Sequence, residues 1–250
     1  MILFNQKEKE ETLMGKNELI WFGYIVVNYG FILYAYKKWG KIGLMLFIPL
    51  SIVIANIQVN KFICLFGINA TMGNIAYGGI FLVADILSEN YGKKYAQHIV
   101  GMGFLTMIFV TIIMNIALKI SPTPIDTLQP HLEVLFTPLY RLTFASLVAY
   151  GISSFLDVYS YQAIRKLFPS FGSIWIRNNF STIFSQIIDS VTFTLIAFIG
   201  VVDTPTLLQF IFSTYALKFI VSLADTPFVY IAAYWKKNNL IHELDSDPTC

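Results

Sequence analysis

Charge is what this sequence has least of. Asp, Glu, Lys and Arg make up 13% of its 250 residues, about half of what a soluble domain of this size carries. The net charge of +2 is small and forms no basic face, which leaves a nucleic acid nothing to hold. Cysteine is almost missing: Cys64 and Cys250 have no spacing that suits a metal site or a disulfide framework. No GxxxxGK[ST] occurs, so the chain is no ATPase in its own right. No HExxH or GxSxG occurs either, and His98, His131 and His242 lie far apart, which argues against an intramembrane enzyme and implies no cofactor or metal. The start, MILFNQKEKEETLMGKNE, is polar and acid-rich, without the basic, apolar and cleavage regions of a secretory signal. The first apolar segment is therefore expected to be retained as a helix.

What fills the chain instead is apolar: 56% hydrophobic residues and a mean hydropathy of +0.64. Seven segments approach the ~20 residues that span a bilayer, at Glu18–Tyr36, Gly40–Phe62, Met72–Leu87, Ala96–Lys119, Leu139–Phe168, Ile174–Val202 and Thr206–Trp235. They are too long and too uniformly apolar for barrel strands, so they predict helices. The expected fold is an all-α polytopic helical bundle. A polar tail covers 1–17, the transmembrane domain 18–236, and a cytoplasmic tail 237–250. The loop SPTPIDTLQPHLEVLFTP, Ser121–Pro138, is long and proline-rich, with a short interfacial helix expected near His131–Phe136.

Basic residues set the orientation. Lys37, Lys38 and Lys41, then Lys93 and Lys94, then Arg165 and Lys166, then Lys236 and Lys237 fall on one set of connections. By the positive-inside rule those face the cytoplasm, which puts the N-terminus outside and the C-terminus inside.

A charge at the centre of a bilayer costs at least about 2.5 kcal/mol, so the polar residues inside the segments carry the functional reading. Asn178, Ser181, Ser185 and Asp189 recur at helical spacing on the sixth segment, flanked by Arg177 and Gln186. Lys218, Ser222 and Asp225 share a face of the seventh, where the following TP could kink the helix. Lys218 sits too deep to snorkel and needs a carboxylate or a ligand. Asp157 belongs to the fifth segment and Asn56 to the second. Asp85 and Glu89 lie one turn apart at the cytoplasmic end of the third, beside Lys93 and Lys94. Such stripes can also serve only to hold helices together. As a binding site, carboxylates, carboxamides and aromatic rings suit a planar solute that hydrogen-bonds: a carboxylate accepts two parallel bonds from a guanine-like edge, a carboxamide serves the carbonyl, and rings stack.

Four stretches in this order, IFLVADILSENYGKKYA, SFLDVYSYQAIRK, RNNFSTIFSQIIDSVTF and LKFIVSLADTP, resemble the bacterial queuosine precursor transporters, a vitamin-uptake-like family of integral membrane proteins. The resemblance covers roughly Ser51 to Trp235. It implies a six-helix core similar to the substrate-binding subunits of energy-coupling-factor transporters, here with one extra N-terminal helix. It implies import of 7-deazaguanines: the 7-cyano and 7-aminomethyl bases, or queuine. The alternative is a substrate-binding subunit that needs an ATPase partner. The family's site carries over to Asn56, Asp85, Glu89, Asp157, Ser181, Ser185, Gln186, Asp189 and Lys218, with Arg177, Asn178 and Asp225 beside them. The implied partners are the base and the bilayer, with room for a homodimer. A receptor reading would rest on seven helices alone, which is an analogy of fold.

Overall fold

The computed structural model describes residues 2–168 and 174–243, within which some side chains, including those of Asp157, Asn178 and Ser181, lie outside the described residues. The elements run α1 (Ile2–Gln58), β1 (Phe62–Leu65), β2 (Ile68–Thr71), α2 (Asn74–Tyr91), α3 (Lys93–Leu118), α4 (Gln129–Phe136), α5 (Leu139–Leu167), α6 (Ile174–Phe198) and α7 (Thr204–Lys237). Four stretches are long and apolar enough to cross a membrane among the described residues: Gly15–Gln58, Gly101–Leu118, Gln129–Ser153 and Thr204–Lys237. Leu105, Phe109, Ile112 and Ile116 form an exposed row along α3. Their spacing of four, three and four is one helix face, and a row this apolar belongs against lipid tails.

The first two expected segments are one helix with a single break. Gly40 has φ 59° and ψ −139°, outside helical geometry, a conformation that glycine reaches without a side-chain clash. The break folds α1 back on itself, since Tyr24 in the first arm donates its hydroxyl to Gln58 at the end of the second, 3.2 Å away. The helix also runs back through the stretch read from sequence as a polar tail.

The second segment was expected to stay helical to Phe62, and here the structure differs. The helix stops at Gln58, and β1 and β2 pair antiparallel with Leu65 opposite Ile68. The two-residue turn between them, Phe66 and Gly67, has positive φ at both positions (51° and 75°), the handedness that matches the twist of a hairpin. The all-α expectation therefore needs one hairpin added. Phe62, Ile63 and Ile68 beside a glycine turn suit paired strands, whereas apolarity alone favours the helix.

α2 starts later and ends later than expected, at Asn74 and Tyr91. α6 ends at Phe198, four residues short of the expected Val202. α7 carries Pro227 inside one continuous helix, so the expected kink beside Asp225 does not break it. The short helix in the long loop is present as α4.

The helices share two ends. At the hairpin end, Phe62 packs on Phe198 and Phe210, Glu18 accepts from the Phe66 N–H, and Asn69 donates to Gln209. Arg141 closes the C-terminus of α6 there, donating to the carbonyls of Ile196 and Ile199 at 2.6 and 2.5 Å. At the other end stand Lys37, Lys38, Lys41, Lys236 and Lys237. Lys37 lies over the Trp235 ring, 5.1 Å from its centroid. Glu243 ties this end together, accepting from the Lys236 ammonium at 2.7 Å, from the Lys41 N–H at 3.2 Å, and from the Tyr91 hydroxyl. One carboxylate thus joins the break in α1, the end of α2 and the end of α7.

Burial pushes the Glu243 carboxyl up, but the Lys236 ammonium, the Tyr91 hydroxyl and the Lys41 N–H together outweigh it and hold the carboxyl below its ordinary 4.5. A depressed folded value means the contribution is full above the unfolded value and is lost as pH falls through the folded one. The melting temperature of Glu243→Gln should therefore lie below wild type near neutral pH, and the gap should close on acidification below about 4.5. A gap independent of pH would mean the carboxylate charge is not what binds these ends.

Candidate functional site

α2 packs between α1, α3 and α7, and α6 packs on α5 and α7. What lets α2 approach so closely is its glycine pair. A Cβ on Gly78 would lie 2.2 Å from Val221 Cγ1 and 2.9 Å from Tyr29 Oη, and one on Gly79 would lie 2.9 Å from Asn28 Nδ2. Polar side chains from five helices then meet in three neighbouring groups, called tiers below.

The first tier joins α1, α2 and α5. Tyr77 Oη and Ser146 Oγ are 3.4 Å apart, and Tyr77 also lies beside the Asn56 side chain and within electrostatic reach of Asp189. Asn56 is buried. Its Nδ2 donates to the Ile52 carbonyl at 2.8 Å and faces Met107 Sδ, while its Oδ1 has no hydrogen-bond partner among the described residues.

The second tier joins α5, α6 and α7. Lys218 donates to Asp189 at 2.5 Å, and Ser153 donates to the other carboxylate oxygen at 3.2 Å. The two charged side chains are only 11% and 18% exposed. A pair this enclosed has its charges desolvated, so it holds only because each charge answers the other. Along α6 the same helix carries Ser185, buried, and Gln186, whose Oε1 is buried without a described partner.

The third tier joins α1, α2 and α7. Tyr29, fully buried, donates to the Val221 carbonyl at 3.3 Å and sets its ring edge against Phe228. Asp85 and Asp225 lie within electrostatic reach of each other and of Tyr29. Asp225 is 3% exposed and its Oδ2 has no described partner, whereas Asp85 keeps an exposed side chain. Lys218 and Asp225 are seven residues apart, about 10 Å along α7.

The structure thus gathers Asn56, Asp189 and Lys218 in the first two tiers and Asp85 with Asp225 in the third. Lys218 and Asp225, one face of α7 by spacing, serve different tiers. Glu89 is exposed near the end of α2, and no described contact draws it into a tier. Asp157, Asn178, Ser181 and Arg177 have side chains outside the described residues. Tyr29, Tyr77, Ser146 and Ser153 were not singled out from sequence. The signal was present as Ser146 and Ser153 seven residues apart on one face, but a hydroxyl in a span is common enough to attract no attention.

A bundle of long apolar helices with charged and amide side chains enclosed at its centre is the construction of a multi-pass membrane transporter. The family described as "Putative vitamin uptake transporter" matches residues 71–232. A Bacillus subtilis (strain 168) protein named "Probable queuosine precursor transporter" is 41% identical over 216 residues, 86% of this chain and 94% of that one. The "Queuosine precursor transporter" of Escherichia coli (strain K12) is 23% identical over 155 residues, 62% of this chain and 67% of its own. No solved structure matches. The chain belongs to the vitamin-uptake-like family that contains these queuosine precursor transporters. It is a multi-pass bacterial membrane protein, and its relatives are named as transporters, not enzymes.

Proposed function

We propose that this chain imports queuosine precursors, 7-deazaguanine bases, across the bacterial cytoplasmic membrane. The names of its relatives support the substrate class. The observation that carries the reading is the enclosed Lys218–Asp189 pair where α5, α6 and α7 meet. A 7-deazaguanine offers an N–H and an amino group on one edge and a carbonyl beside them. Asp189 matches the donor edge and Lys218 the carbonyl, so the pair is already the complement of the base. Tyr77 and Asn56 stand beside the pair to hold the ring. The pair closes on itself without ligand, and base binding parts it.

In this reading α1 contributes two spans and the bundle has seven, the hairpin end outside and the lysine end in the cytoplasm. The five lysines at that end support the orientation. Asp157, Asn178, Ser181, Ser185, Gln186 and Glu89 join the substrate path by their place on α2, α5 and α6.

Ligand that binds the folded state alone stabilises it by mass action, about 2.7 kcal/mol at a hundredfold excess over Kd. The purified protein should therefore melt higher with 7-cyano-7-deazaguanine, 7-aminomethyl-7-deazaguanine or queuine, and unchanged with guanine. Folded protein that responds to none of the three would remove the substrate assignment.

A further inference from the structure

The third tier does something the base site does not need. We propose that Asp85 and Asp225 together hold one exchangeable proton and that this proton is the coupling ion for uptake. The second half rests on the transport reading above; the first does not.

The surroundings of the two carboxyls decide their charge. Asp85 lies two turns beyond Gly78 on the same face of α2, and Asp225 one turn beyond Val221 on α7. Gly78 is packed on Val221, so the two carboxyls come within electrostatic reach across this joint. From α1 the facing titratable group is Tyr29, whose hydroxyl proton goes to the Val221 carbonyl and not to either carboxyl. From α7 itself the nearest cation is Lys218, about 10 Å along the helix and engaged by Asp189 of α6. α3, packed on α2, carries His98, an exposed residue with an interaction of its own, and Lys93 and Lys94, whose side chains, like that of Arg177 on α6, lie outside the described residues. Beyond these, at the lysine end, Lys236 is engaged by Glu243. Asp85 and Asp225 thus meet across the α2–α7 joint, and among the described residues neither is in a described ion pair.

Two carboxylates so placed, one of them 97% enclosed, cannot both be charged without a compensating positive charge. One proton shared by the pair removes the conflict, and the proton belongs to the pair and not to either residue. The enclosed Asp225 Oδ2, which lacks a partner in the described structure, is where a carboxyl proton has room to sit. The exposed Asp85 is the route by which that proton exchanges with water. The division of labour follows from position: Asp189 and Lys218 match a base, Asp85 and Asp225 match a proton, and α7 carries one member of each. A movement of α7 that parts Lys218 from Asp189 also changes the distance from Asp225 to Asp85. That is a physical link between base binding and proton affinity.

The test uses the full chain in lipid. Infrared difference spectra between acid and alkaline pH should show the C=O stretch of a protonated carboxyl, shifted in D2O. The band of the enclosed carboxyl should vanish in Asp225→Asn, titrate at a different pH in Asp85→Asn and persist unchanged in Asp189→Asn, with the melting temperature of each variant recording that it folds. In wild-type liposomes holding a pH dye, uptake of 7-cyano-7-deazaguanine should acidify the lumen. A band that survives in Asp225→Asn, or titrates unchanged in Asp85→Asn, overturns the proposal, as does base uptake with no acidification. If wild-type protein moves no deazaguanine, the transport reading falls by itself. The infrared spectra still decide the proton site, since the band either depends on the pair or does not.

Discussion

Asp189→Asn should abolish deazaguanine uptake in protein that still reaches the membrane, a loss of at least about a hundredfold if the carboxylate makes a charge-assisted pair of bonds to the base worth about 3 kcal/mol. It should also lower the melting temperature. The substitution leaves Lys218 enclosed and unanswered, and breaking a buried pair at one side costs about 3–5 kcal/mol. The two effects have different origins and can be separated. In the double variant Asp189→Asn, Lys218→Met no charge is left stranded, so much of the thermal loss should be recovered while uptake stays absent. If the double variant also recovers uptake, the pair only holds helices together, and the base binds elsewhere. If the single variant is thermally silent, the 2.5 Å contact is not the enclosed pair that its low exposure indicates.

Gly78→Val should have the largest purely structural effect. Already a Cβ there would sit 2.2 Å from Val221 Cγ1 and 2.9 Å from Tyr29 Oη, and the added methyls reach further. Forcing extra carbon into a filled joint costs about 1–3 kcal/mol, seen as a lower melting temperature. The strain falls where α1, α2 and α7 meet, so uptake should fall with it. Val221→Ala in the same chain should return part of both, because it empties the space the new side chain needs. Gly23→Val, in the same bundle but with nothing within 4 Å of its Cβ position, should lack the clash. Equal losses at both glycines would mean that helix propensity, and not the α2–α7 contact, is what Gly78 serves.

What the sequence made legible is what the bilayer makes costly. Asp189 and Lys218 stood out because ionisable groups in apolar segments need partners, and the structure joins them. Asp85 and Asp225 stood out for the same reason, but spacing could not say that α2 and α7 bring them together. Spacing put Lys218 and Asp225 on one face, and the depth that separates their tiers is not a property of a face. Tyr77, Ser146 and Ser153 escaped because a hydroxyl costs little in a helix and its role depends on who stands opposite. FICLFGINAT reads as the end of an apolar span until the two positive φ angles at Phe66 and Gly67 are known. Glu243 escaped entirely: a single acid beyond the last span carries no periodicity, and its weight comes from three donors on distant parts of the chain.

The break at Gly40 also bears on how the protein is made. The two arms of α1 are joined without a loop, and their polar groups answer one another, Tyr24 to Gln58 across the interface. Released into lipid one at a time, each arm would carry those groups bare. Inserted as a ready-paired hairpin, with Lys37, Lys38 and Lys41 at its bend held back at the surface, they go in already satisfied. On the seven-span reading proposed above, the first two crossings are then a single biosynthetic event, and α2 arrives to find the groove for its glycine pair already built.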